Sequence, residues 1–282
     1  MFRRVMLFLV ISALACVSDY GPTGPGSSPP PPPPPPPVPS IADAQIKDIE
    51  MSFLPSPYYR FEYDSAGKVT FASFASDLRT YEIQYVGNRI SAMVSTRFTR
   101  EQLSYFYDEE DGKVTTVTYT DPAGVVYVRI HLTYAGDRLV TLERERRVGG
   151  GDFFQSDKRL SFAYDSRGNL AELTDERLPF PGQTESTVVD VYEQYDDGIN
   201  VDGFSLIHTE FFDHLVLLPG VRLQVGNPAG VTRTGSGDNY HIDYTYTYDS
   251  SKRPIAKHGE GVLLGGTTAG QRFQTSTTFS YE

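Results

Sequence analysis

The chain lacks tryptophan altogether, holds one cysteine, Cys16, and has no apolar run longer than the eleven residues 5–15. A single thiol cannot form an intrachain disulfide, so the body has to be held by a hydrophobic core, for which it is long enough. Eleven residues are too few for a bilayer-spanning helix. Without indole rings the broadest surfaces for stacking on a sugar are missing, and aromatic contact falls to tyrosine and phenylalanine. Basic residues are also in deficit: 25 Lys and Arg against 36 Asp and Glu give a formal net charge of −11. That balance argues against nucleic acid as a partner and against direct adhesion to anionic lipid.

Catalytic signatures are scarce as well. No serine sits in G-x-S-x-G, and Gly149, Gly150 and Gly151 lack the Lys-Ser/Thr of a phosphate loop, so they read as a hairpin tip. His131, His208, His214, His241 and His258 form no H-E-x-x-H pair, although Glu210 and His214 stand four apart and would share a helical face. The acidic tip Asp108-Glu109-Glu110-Asp111 lacks the ligand spacing of an EF-hand loop. The reading is of a protein that is not an enzyme, with no cofactor and no metal. Its acidic residues offer carboxylate pairs for a hydrolase, but nothing in the pattern selects one.

What is present begins with an address. Arg3 and Arg4 precede the apolar run, and Ala13 and Ala15 give the small-residue spacing that a signal peptidase accepts directly before Cys16. Ser-Ala-Leu-Ala-Cys resembles a bacterial lipobox. That resemblance implies removal of residues 1–15 and acylation of Cys16, placing the protein in the cell envelope, at the outer membrane, attached through more than one acyl chain. Residues 16–40 form a spacer whose nine consecutive prolines, 29–37, must adopt polyproline II. At about 3.1 Å per residue they reach roughly 28 Å. Residues 41–282 are the body.

The body repeats a phrase. Phe61-Glu-Tyr-Asp-Ser-Ala-Gly-Lys-Val69 and Phe162-Ala-Tyr-Asp-Ser-Arg-Gly-Asn-Leu170 match position by position. Tyr105 to Val114 is a copy with one extra residue, and Tyr246 to Ile255 has Lys252 where the glycine belongs. Shorter copies carry Gly87-Asn88 and Gly136-Asp137, two-residue loops suited to primed turns. In each long copy the aspartate (Asp64, Asp108, Asp165, Asp249) starts a turn by accepting backbone N–H groups, and the glycine takes the left-handed position that closes it. These aspartates are therefore read as structural. The flanking residues alternate in polarity, most clearly where Tyr240, Ile242, Tyr244, Tyr246 and Tyr248 share one face, and where Phe273 to Tyr281 does the same. From Asp202 to Leu218 the apolar residues recur at three and four, which predicts one amphipathic helix.

The phrase Tyr-Asp-x-x-Gly-Lys/Asn-Val/Leu resembles the YD repeats of Rhs-type and teneurin-like proteins. Together with the leader, Cys16 and the spacer, the whole chain is similar to a group of Bacteroidota lipoproteins whose shared domain has no assigned function. The alternation and the turns predict an all-β fold, to which the resemblance conforms: a large antiparallel meander sheet of YD-like hairpins, with the one helix packed on it. The copies are too few for a closed Rhs shell. The expected role is a non-catalytic binding or structural lipoprotein, partnered with the membrane through its anchor and with a protein or glycan ligand. The alternatives are a glycan-directed hydrolase using a carboxylate pair and a scaffold assembling through edge strands. The tyrosine face of Tyr244, Tyr246 and Tyr248 is the candidate binding surface.

Overall fold

The computed structural model of the protein describes residues 44–97, 100–201 and 217–282, all within the compact unit Val38–Glu282. Sixteen strands follow one another: β1 (Ile46–Met51), β2 (Tyr59–Tyr63), β3 (Val69–Phe74), β4 (Arg79–Val86), β5 (Arg89–Ser95), β6 (Gln102–Tyr107), β7 (Val114–Thr120) and β8 (Val126–Ala135) make the first half. The second half comprises β9 (Arg138–Arg147), β10 (Phe154–Tyr164), β11 (Leu170–Arg177), β12 (Ser186–Tyr195), β13 (Pro228–Gly235), β14 (Tyr240–Tyr248), β15 (Pro254–Leu263) and β16 (Arg272–Tyr281). Each pairs antiparallel with the next, which is the meander order read from the hairpin repeat.

The sheet is not open, however. β1 pairs with β16 from Ile46↔Tyr281 to Met51↔Thr277, closing a sixteen-stranded barrel. An open meander would leave two edge strands with unpaired N–H and C=O groups, and the cumulative twist of successive hairpins brings those edges together. Closure removes the edges on which a strand-to-strand scaffold would depend. The helix expected over 202–218 lies outside the described residues except for Leu217 and Leu218. Both of these are buried, and the Leu217 backbone is hydrogen-bonded to Tyr105 on β6. Helix is otherwise almost absent from the described residues; a 3-10 turn, Gly266–Thr268, precedes β16.

Alternation sets inside from outside. Ile49, Phe61, Tyr81, Leu103, Ile130 and Leu142 belong to one buried apolar cluster built from the inward faces of β1–β11, Phe279, and the segment after β12. Each such side chain contributes roughly 1.5–3 kcal/mol on burial. On β14 and β16 the outward positions are polar: His241, Asp243, Thr245 and Thr247 on β14, and Gln274, Ser276, Thr278 and Ser280 on β16. A bilayer-spanning barrel shows an apolar band outside and polar groups within. On β14 and β16 the polarity runs the other way.

The repeat explains how the wall is finished at one rim. At this YD rim every even-numbered strand hands over to the next odd one, and the ladder between an odd strand and the even strand after it stops two residues short. The last rung of β3–β4 is Phe71↔Glu82, for example, so the opening residue Val69 has no rung on that side. The same gap recurs at Ile46, Ile90, Val114, Leu139, Leu170, Pro228 and Pro254. A tyrosine hydroxyl fills it each time. Tyr63 donates to the Ile46 carbonyl at 2.9 Å, Tyr85 to Val69 at 2.9 Å, Tyr107 to Ile90 at 2.8 Å and Tyr134 to Val114 at 2.9 Å. Tyr164 donates to Leu139 at 2.7 Å, Tyr246 to Pro228 at 3.0 Å and Tyr281 to Pro254 at 2.6 Å, while Tyr195 donates to Leu170. Eight hydroxyls thus latch eight hairpins around the rim, satisfying carbonyls that the backbone leaves unpaired.

The other letters of the repeat serve the same rim. Asp64 Oδ1 accepts the Ala66 and Lys68 N–H groups, both at 2.9 Å, and Asp165 and Asp249 make the equivalent pairs. Asp108 accepts from Glu110 and Asp111 in the longer copy. The residue before the acceptor carbonyl is a cation in five hairpins and lies over the latch ring: Lys68 over Tyr85 at 5.2 Å, Arg89 over Tyr107 at 5.2 Å, Lys113 over Tyr134 at 5.8 Å, Arg138 over Tyr164 at 5.1 Å and Arg253 over Tyr281 at 4.3 Å. Glycine in the turn has two causes. Gly168 has φ +95°, and a Cβ there would stand 2.9 Å from Arg138 Nη2. Lys252 adopts the same left-handed conformation, φ +61°, and the turn still closes, with Asp249 N–H bonded to the Arg253 carbonyl at 2.9 Å.

Candidate functional site

The inward face of β12–β16 differs from the rest of the wall. Tyr192, Tyr240, Tyr244, Tyr246, Phe273 and Thr275 point into the barrel yet are only half-buried. Two glycines on β15 account for the way these rings lie. Gly259 and Gly261 occupy inward positions opposite Tyr244 and Ile242 on β14, and Thr275 and Phe273 on β16. A Cβ on Gly259 would stand 2.9 Å from Tyr244 Cε1, and one on Gly261 would collide with the tip of the Phe273 ring. The edge of the Tyr244 ring and the tip of the Phe273 ring therefore lie over a strand that carries no side chain at these two positions. Glycine inside a strand marks such close approaches.

Tyr240 meets Phe273 edge-on at 5.9 Å, Tyr244 and Tyr246 are tilted at 6.4 Å, and Tyr246 stacks on Tyr248 at 5.9 Å. Charge borders the rings. Lys257 Nζ stands 4.9 Å from the Tyr244 ring centroid, and Arg233 forms two 2.7 Å bonds to Asp190 while lying 5.3 Å from the Tyr240 ring. Its bonds to Asp190 hold Arg233 firmly protonated. Burial, reinforced by the Asp190 carboxylate, keeps the Tyr192 hydroxyl protonated well above the ordinary tyrosine range.

A second polar group lies on the inward face of β9–β11. Asp157, fully buried, sits between Arg144 (2.6 Å) and Arg146 (2.7 Å). Lys158, also fully buried, bonds Asp175 at 2.9 Å. Burial lowers the Lys158 pKa to about 8, with Asp175 opposing part of that shift. Farther round, Glu101 accepts the hydroxyls of Tyr81, at 2.9 Å, and Tyr127.

The residues singled out in the sequence fall as follows. Asp64, Asp108, Asp165 and Asp249 each occupy a separate turn of the YD rim, bonded to their own turn's N–H groups. Asp111 of the acidic tip pairs with Lys113 at 2.7 Å. Tyr244, Tyr246 and Tyr248 do form one row, on the inward face; Tyr246 is also a latch, and Tyr248 bonds Asp196 and, at 3.1 Å, Asn227. His131 and His241 lie on outward faces against Glu145 (3.2 Å) and Asp243 (3.1 Å). Cys16, Glu210 and His214 lie outside the described residues. Sequence reasoning missed Gly259, Gly261, Phe273, Lys257 and the Asp190–Arg233 pair. Two glycines at alternate positions of one strand face were the available signal. It also missed Asp121, which starts a Tyr-Asp-like turn at the opposite rim by accepting from Ala123 and Val125, both at 2.9 Å.

No family model matches the chain, and comparison with curated proteins finds no relative. Among solved structures, the chain is similar to a porin-like protein from Bacteroides uniformis, with a TM-score of 0.56 and 13% identity over 87% of this chain and 98% of that one. A porin-like protein from Bacteroides vulgatus gives a TM-score of 0.55 and 14% identity over 84% and 99%. At these identities the likeness is one of fold.

Proposed function

We propose that the protein is a lipid-anchored component of the cell envelope, held through Cys16, that binds a ligand on the aromatic inward wall of β12–β16 without transforming it. The observation that carries the binding role is the pair Gly259 and Gly261, over which the half-buried Tyr244 and Phe273 lie. A core built only for stability would fill those positions with Val or Ile, the residues strands favour. The leader, the spacer and the likeness to porin-like barrels support the envelope address. The polar outer face supports an anchored barrel over an embedded one, since an Arg or Lys on a lipid-facing strand costs about 2–4 kcal/mol at the bilayer midplane.

The test is glycan- and peptide-array binding by the full-length protein in detergent micelles, repeated with Tyr244→Ala and Gly259→Val. Binding that both substitutions abolish, with the barrel's circular dichroism retained, supports the reading. Binding that survives both variants moves the site elsewhere, and turnover of the bound compound replaces a binder with an enzyme. Mass spectrometry of the mature N-terminus tests the anchor; an unmodified Cys16 thiol refutes it. The rival hydrolase needs an inward carboxyl poised to hold a proton. The buried carboxylates Asp157, Asp175 and Asp190 each face a cation, and Glu101 accepts two tyrosine hydroxyls, an arrangement that favours the non-catalytic reading.

A further inference from the structure

We infer that the ligand of this wall is an acidic oligosaccharide, an assignment that rests on the binding role proposed above. The argument starts from charge. On the inward faces of β9–β15, away from the YD rim, stand six cations: Arg144, Arg146, Lys158, Arg177, Arg233 and Lys257. Three carboxylates oppose them, Asp157, Asp175 and Asp190. The outward faces of the same strands carry seven acids, from Glu143 to Glu260, against Arg147 and Arg159. The wall therefore changes sign across its thickness, positive inside and negative outside, in a chain whose net charge is −11. A concave, low-dielectric wall with an excess of one sign focuses its field and concentrates counter-charged ligand. Arg233, with a third of its side chain exposed, and Lys257, half-exposed, bring that charge to the edge of the rings.

The rings decide between classes of anion. An acidic peptide captured by strand addition needs a sheet edge, and the closed barrel offers none. Tyr244 and Phe273, lying over Gly259 and Gly261, instead offer half-buried aromatic surface, which suits the C–H face of a sugar; the neighbouring ammonium and guanidinium suit its carboxylate.

Titration calorimetry on the full-length protein in detergent tests the assignment with three probes: hexameric oligogalacturonate, its fully methyl-esterified form, and hexaglutamate. The acid should bind at least about tenfold more tightly than the ester. That advantage should shrink between about 0.1 M and about 1 M salt, as the screening length falls from about 10 Å to about 3 Å. Lys257→Gln should shrink the advantage by weakening acid binding more than ester binding, whereas Tyr244→Ala should weaken both sugars alike. Ester binding as tight as acid binding overturns the acidic assignment and leaves the site intact. Hexaglutamate binding as tightly as the uronate overturns the sugar assignment. Failure of all three probes, alongside array binding lost in Tyr244→Ala, also overturns this inference while sparing the site.

Discussion

Replacing Tyr164 by Phe tests the latch ring at its clearest member. The substitution keeps the ring under Arg138, whose guanidinium stands 5.1 Å from it, and removes only the hydroxyl that donates to the Leu139 carbonyl at 2.7 Å. That carbonyl has no ladder partner on the β10 side, where the last rung is Thr141↔Ser161. The loss is therefore one hydrogen bond plus part of the desolvation cost of an acceptor left unpaired, about 1–2 kcal/mol, since the rim admits some water. In urea, with a slope of about 3 kcal/mol per molar for a body of this size, the midpoint should fall by about 0.3–0.7 M at unchanged slope. Tyr63→Phe, at a distant hairpin, should add to it within about 0.5 kcal/mol. Tyr134→Phe should not add simply, because Tyr134 pairs with the same Leu139 whose carbonyl Tyr164 holds. A midpoint shift below about 0.1 M for Tyr164→Phe, equivalent to about 0.3 kcal/mol at that slope, would refute the latch as a source of stability.

Three further outcomes follow from the same structure. Lys252→Gly should stabilise by about 0.5–1 kcal/mol, because relief of a left-handed lysine at φ +61° outweighs loss of its exposed bond to Asp197; a lower urea midpoint would contradict this. Asp157→Asn should cost about 3 kcal/mol or more, since Arg144 and Arg146 lose the buried charge they share, and thermal melting would show it. Stability should rise between about pH 8 and the ordinary lysine range, because unfolded Lys158 binds a proton that the folded amine, at about 8, has released. Above about pH 10 the sign reverses: Tyr107, Tyr134 and Tyr164, pushed up to about 12 chiefly by burial, keep protons that unfolded tyrosines lose. Urea midpoints measured from pH 7 to 11 should pass through a maximum, and a monotonic rise across that range would contradict the tyrosine assignment.

The amino-acid sequence by itself determined the local code. The aspartate and glycine of each Tyr-Asp-x-x-Gly phrase act within five residues of one another, so the turns, the alternation of the strands and their meander order could all be read from spacing. Tertiary structure alone decided three things. Closure joins Ile46 to Tyr281 through nearly the whole length of the described chain, and no local pattern reports whether twist brings two edges together. The latch role of the phrase's tyrosine is not legible in the phrase, because its acceptor lies outside it; Tyr63 reaches back 17 residues to Ile46. The proposed binding wall depends on Gly259 and Gly261 lying beneath Tyr244 and Phe273, and alternation assigns a side chain to a face but cannot say which face encloses the lumen. Hydrogen-bond geometry within a turn is short-range and so is written in adjacent letters, whereas the sign and openness of an interior belong to strands that meet only after the chain has folded.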